Sequence, residues 1–116
     1  MWLMTTFGFF SIVQKPNDTM LTIRSRVKSD LESLRKQYLP TLGEIEEHTG
    51  TDYEYRARAS KEAVSEALRL IALDIDYGNF KDTVNRRQGR QRARLYGRVW
   101  TDLQGLQKEE KSSASR

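Results

Sequence analysis

The chain has 116 residues, 20 Lys and Arg against 16 Asp and Glu, a formal charge of +4, and no cysteine. That length predicts one small domain. Without cysteine there are no disulfides, no thiolate metal sites and no cysteine nucleophile.

Two Trp, five Tyr and four Phe argue against disorder, which is poor in aromatics. The opening run MWLMTTFGFFSIVQK has no basic residue ahead of its apolar stretch. Thr5, Thr6, Gly8 and Ser11 interrupt it, and it is too short to span a bilayer. It reads as a strand, and the protein as cytoplasmic. Within Trp2–Lys15, Phe7, Phe9, Phe10, Ile12 and Val13 fall on both faces, as in a strand buried on both sides. Gly8 inside it predicts a bulge or a close backbone approach. Pro16-Asn17-Asp18-Thr19 is a turn by composition. Met20–Arg26 then alternates, with Leu21, Ile23 and Ser25 opposite Thr22, Arg24 and Arg26, which completes a hairpin.

Ser29-Asp30-Leu31-Glu32 has the pattern of a capping box and predicts a helix over 29–39, stopped by Pro40. Glu44–His48 and Asp52–Ala59 flank Thr49-Gly50-Thr51 and read as a second hairpin. In its latter strand Tyr53, Tyr55 and Ala57 face one way, and Glu54, Arg56 and Arg58 the other. Ser60 caps the next predicted helix, whose apolar stripe is Val64, Ala67, Leu68, Ile71 and Ile75, and Gly78 ends it. Asn79 offers the N-cap of a last helix running to Leu106, with Asp82 in its first turn.

These elements predict an α+β two-layer sandwich over residues 1–106. Its sheet is four-stranded and antiparallel, in the order ββαββα plus a C-terminal helix, a ferredoxin-like plan or a circularly permuted variant of it. Residues 107–116 lack apolar anchors and read as a disordered polar tail.

The segment Lys81–Arg98, KDTVNRRQGRQRARLYGR, holds seven basic residues and one acid. It therefore carries +6, leaves −2 for the rest of the chain, and sets the sign of the whole protein. At 100° per residue, Val84, Leu95, Val99, Leu103 and Leu106 share an apolar arc that Tyr96 and Trp100 extend. Arg86, Arg90, Arg94 and Arg98 recur every four residues on the far side with Arg87 among them, while Arg92 points toward the apolar side. Like charges at that spacing repel, and a purely structural helix alternates signs more comfortably. Guanidinium groups bind phosphate bidentately and stack on bases, so Lys81, Arg86, Arg87, Arg90, Arg94 and Arg98 are the candidate RNA- or DNA-binding residues. The competing reading pairs these arginines with Asp74 and Asp76 in a solvated face; an acidic protein surface is a further candidate partner. Gly89 and Gly97 mark a kink or a close contact.

Arg24, Arg26, Arg56 and Arg58 form a second basic set, read as salt-bridged sheet surface because Glu44, Glu46 and Glu54 supply cross-strand partners. His48, the one histidine, cannot converge with Glu47 on a strand, and Asp74 and Asp76 stand about 200° apart on a helix. No nucleotide-loop, metalloprotease or nucleophile-elbow motif is present, so the expectation is no enzyme, no cofactor and no metal. An enzyme built on His48 or Asp74 and Asp76 is the third option. The second is a protein-interaction or regulatory module, a homodimer among the possibilities, that buries Tyr96, Trp100 or the N-terminal strand.

With GFFSIVQKP, RVKSDLESLRKQYLP, DYEYRA, DIDYGNFKD and RQGRQRARLYGRVW in this order, residues 2–103 resemble a family of small bacterial proteins of no assigned activity. The resemblance implies a bacterial, cytoplasmic, single-domain protein and carries over no functional residue.

Overall fold

The computed structural model describes residues 1–47 and 50–114, so His48 lies outside the described residues. The chain forms two compact units, Met1–Asp76 and Tyr77–Arg116.

The first unit is α+β. Its strands are β1 (Trp2–Met4), β2 (Phe9–Val13), β3 (Leu21–Ser25), β4 (Glu46–Glu47) and β5 (Tyr55–Ala59), and its helices are α1 (Lys28–Gln37) and α2 (Lys61–Leu73). The sheet is antiparallel, in the order β1-β2-β3-β5-β4. Five strands stand where four were expected, because Trp2–Lys15 is not one strand. It folds back between Met4 and Phe9 on the Thr5 side chain. The Thr5 hydroxyl accepts from the Phe7 and Gly8 amides at 3.2 and 3.0 Å and donates to the Gly8 carbonyl at 2.8 Å. A hydroxyl bonding its own neighbouring backbone makes a turn without the usual Pro or Asn signal.

Gly8 sits where the backbone has no room to spare. A Cβ there would lie 2.8 Å from the Phe10 ring and 3.0 Å from Asp30. The expected capping box at Ser29 does not form. Helix α1 begins at Lys28 with Val27, two residues before Ser29, as its N-cap; the Val27 side chain makes no cap bond, and the buried Asp30 carboxylate accepts from the Phe9 amide at 3.0 Å. Asp30 thus ties the first helical turn to β2. At the other end, Arg35 donates to the Leu42 carbonyl at 3.3 Å and also to the Gly43 carbonyl, fixing the turn out of α1. Helix α2 starts as expected, with the Ser60 hydroxyl accepting from the Ala63 amide at 3.1 Å.

Alternation divides the sheet into two faces. On one, Phe10, Ile12, Ile23, Ala57 and Ala59 join Leu31, Leu34, Leu39, Leu42, Val64 and Ala67 in a single core cluster, so the helices lie against this face. Ile75 of the expected α2 stripe lies past the helix end and is exposed.

The second unit holds α3 (Phe80–Gln88), α4 (Arg90–Leu103) and α5 (Gly105–Ala114). Asn79 caps α3 as expected, accepting from the Asp82 amide at 3.0 Å. The last helix is not continuous, however: Gly89, at φ 98° and ψ 168°, ends α3 and precedes α4. Helix α5 occupies the segment read as a polar tail, and its described side chains are exposed. No helix among the described residues is long and apolar enough to cross a membrane.

Two outcomes follow. Gly8→Ala must displace the Phe10 ring or α1, and is expected to lose about 1–3 kcal/mol of stability, read as a lower urea midpoint at unchanged slope. Asp18 is held below its usual carboxylate range first by the Arg58 hydrogen bond and then by the Met20 amide. A depressed folded pKa gives stability that is present above the unfolded value and lost as pH falls through the folded one. Wild type should therefore lose stability relative to Asp18→Asn as pH drops below about 4, with the gap closing in strong acid, measured by thermal melts across pH.

Candidate nucleic-acid interface

The break at Gly89 decides where the arginines go. A continuous helix would carry Arg86, Arg90, Arg94 and Arg98 as one ladder. The break leaves Arg86 and Arg87 in the last turn of α3, where cations complement the helix dipole. Arg86 also donates to the Thr83 hydroxyl at 3.3 Å.

Helices α3 and α4 pack on each other. Between them runs a groove of about 610 Å³. Four of the six candidate residues, Lys81, Arg90, Arg94 and Arg98, line it together with Asp82, Asn85, Thr101 and Asp102. Its formal charge is +2. Among the described residues, none of those four cations has a carboxylate within 4.0 Å, so Asp82 and Asp102 leave the groove positive without neutralising any single group. Asp74, offered from sequence as a partner for these arginines, accepts instead from the Tyr38 hydroxyl at 2.7 Å.

Gly97 explains how Lys81 enters. A Cβ at Gly97 would lie 3.3 Å from the Lys81 ammonium, so the bare α4 backbone is what admits this charge. That is the close contact expected at Gly97, made to a side chain.

The apolar arc behaves differently from its prediction. Val84, Ala93 and Tyr96 are buried, with Tyr96 stacked on Phe80 at 6.1 Å and 10°. Arg92 leans the same way, donating to the Tyr96 hydroxyl at 3.2 Å. Leu95, Leu103 and Leu106 are exposed, and Trp100 is 67% exposed. Tyr96 is therefore a packing residue and Trp100 a surface one.

The second basic set divides as well. Arg58 is salt-bridged, though to Asp18 and not to the expected Glu44, Glu46 or Glu54, through two bonds of 2.7 and 3.1 Å. Arg24, Arg26 and Arg56 have no carboxylate within 4.0 Å among the described residues. Their partners are neutral. Arg24 donates to the Ser11 hydroxyl at 2.7 Å, Arg56 to the Thr51 hydroxyl at 2.7 Å, and Arg26 to the Asp52 carbonyl at 3.1 Å. The expectation of a salt-bridged sheet surface holds for Arg58 and fails for these three, because Glu46, opposite Arg56, is exposed and makes no ion pair with it.

Sequence spacing missed Asp82, Asn85, Thr101 and Asp102 as groove residues. Thr101 and Asp102 follow Arg98 by three and four positions, a helical-neighbour signal that was available. No group of three or more potential metal ligands occurs among the described residues. No protein-family model, curated protein or solved structure matches the chain.

Gly89→Ala puts a side chain where φ 98° and ψ 168° suit glycine. It should cost about 1–3 kcal/mol, seen as earlier urea unfolding. A midpoint equal to wild type would show that α3 and α4 tolerate another junction.

Proposed function

We propose that the protein is a non-enzymatic binding module whose α3–α4 groove grips the phosphates of nucleic acid. One observation carries the reading: Lys81, Arg90, Arg94 and Arg98 line a single groove with no carboxylate within 4.0 Å of any of them among the described residues. Cations serving only stability are usually paired or alternate in sign, whereas cations left unpaired in a concave surface attract a polyanion and release its counterions. The fold is compatible with such a scaffold. Without β1, the order β2-β3-β5-β4 with its two helices supports reading the sheet as a circularly permuted ferredoxin-like plan. A bacterial, cytoplasmic setting belongs to the same proposal.

A second reading rests on Trp100. Large exposed aromatics are favoured anchors of protein interfaces, and Trp100 is exposed on α4 with Leu95 and Leu103. A homodimer or an acidic protein partner would cover them.

Labelled single- and double-stranded RNA and DNA, titrated at several salt concentrations, test the groove. Affinity should fall steeply with salt, and Arg94→Gln/Arg98→Gln should weaken binding across sequences and reduce the salt slope by about 2. Absence of binding at low salt, or an unchanged slope in the double variant, rejects the groove. Light scattering on the same samples favours the second reading if a dimer dissociates on Trp100→Ala.

A further inference from the structure

On the sheet face opposite the core Arg58 pairs with Asp18, but Arg24, Arg26 and Arg56 are held, like the groove cations, with no carboxylate within 4.0 Å among the described residues. The registers align Trp2 with Ser11, Ser11 with Arg24, Arg24 with Arg56, and Arg56 with Glu46. One row thus crosses all five strands with an indole at one end and two adjacent guanidinium groups inside it. Its length from Trp2 to Arg56 is three strand spacings, about 14 Å.

Two like charges directly opposed across strands destabilise a sheet, and here the cost goes further. The Nε groups of both Arg24 and Arg56 are buried without an acceptor. An unmet buried donor is normally penalised, so the pair is not explained by stability. What the arrangement achieves is position. Ser11 and Thr51 hold the two guanidinium groups by neutral hydroxyls, and Arg24 and Arg26 both lie over the Tyr53 ring at 4.7 Å. Three positive charges are thus fixed on one face with their charge unspent, and the entropy of ordering Arg24 and Arg56 is already lost before a ligand arrives.

Trp2 supplies the complementary element. It is 69% exposed, yet its ring meets Phe9 edge-on at 5.6 Å, so the indole is braced from one side and offers a face to solvent. An exposed aromatic in line with fixed cations is the combination that single-stranded nucleic acid uses, a base stacking on the ring while phosphates meet the cations. Double helices hide their base faces and have no use for Trp2. An acidic peptide would use the cations but not the stacking surface. Glu46, closing the row beyond Arg56, repels phosphate and bounds the site on that side.

We infer that the open sheet face binds single-stranded nucleic acid, with Trp2 stacking a base and Arg24, Arg26 and Arg56 holding backbone phosphates. This surface belongs to the first unit and the α3–α4 groove to the second, and the inference does not require the groove to bind.

The test uses full-length protein carrying Trp100→Phe, so that indole emission reports Trp2. Oligo(dT) or oligo(U) should quench it saturably, with log affinity against log salt sloping by about −2 for three phosphate contacts. Arg56→Gln and Arg26→Gln should each remove about 0.7 from that slope; the exposed Arg26 keeps the test available if Arg56→Gln does not fold. In the protein with Trp100 restored, Trp2→Ala should weaken binding followed by anisotropy about tenfold, and Trp2→Phe should recover most of it. Unchanged Trp2 emission under saturating oligonucleotide, or an arginine variant with the wild-type slope, overturns the inference. Equal quenching by polyglutamate overturns it in favour of an acidic protein. Adding Arg94→Gln/Arg98→Gln separates the surfaces. Retained quenching supports the sheet whatever the groove does; binding lost with Trp2 emission never having changed supports the groove and rejects the sheet.

Discussion

The pairing of β3 with β5 joins the N-terminal meander to the second hairpin, and its register settles the character of both faces at once. Ile23 stands opposite Ala57, and Ile12 opposite Ile23, so one row fills the core. The neighbouring row, Ser11, Arg24 and Arg56, necessarily points the other way. A slip of one residue would bring the arginines inside and the isoleucine out. Burying the apolar row therefore enforces the guanidinium row. The cost of placing Arg24 against Arg56 is carried by the stability of the core on the reverse side.

The same economy of backbone appears at the junction of sheet and helix. Gly8 lets β2 approach α1, and the Asp30 carboxylate in the first turn of α1 accepts from the Phe9 amide. A residue that local pattern assigns to a helix start is used for tertiary attachment. Local hydrogen-bond options are close in energy, and the buried donor on β2 decides among them.

In the second unit, one glycine plays the comparable part. Gly89 separates α3 from α4 and lets them pack, which gathers Lys81, Arg90, Arg94 and Arg98 around a groove and leaves Arg86 and Arg87 at a helix end. The charged stretch is then two things: a dipole-complementing helix terminus and a concave surface of net positive charge. Arg24, Arg26 and Arg56 on the sheet face and the four cations of the groove share a design principle: neutral groups or missing side chains position them, with no carboxylate within 4.0 Å among the described residues.

The sequence by itself determined the elements whose signals are local. Alternation placed Ile23 and Ala57 on core faces, Ser60 and Asn79 announced their helices through capping chemistry, and the arginine density of Lys81–Arg98 marked the basic region. Only the tertiary structure decided the rest. The Thr5 turn that makes a fifth strand depends on a hydroxyl common in any strand. The break at Gly89 competes with a good apolar period, and the exposure of Leu95 and Trp100 against the burial of Tyr96 follows from how α3 meets α4. Whether an arginine has a counter-charge depends on which residues stand across from it. Strand register and helix packing choose those neighbours over long sequence separations, where the chain's local pattern carries no information about distance.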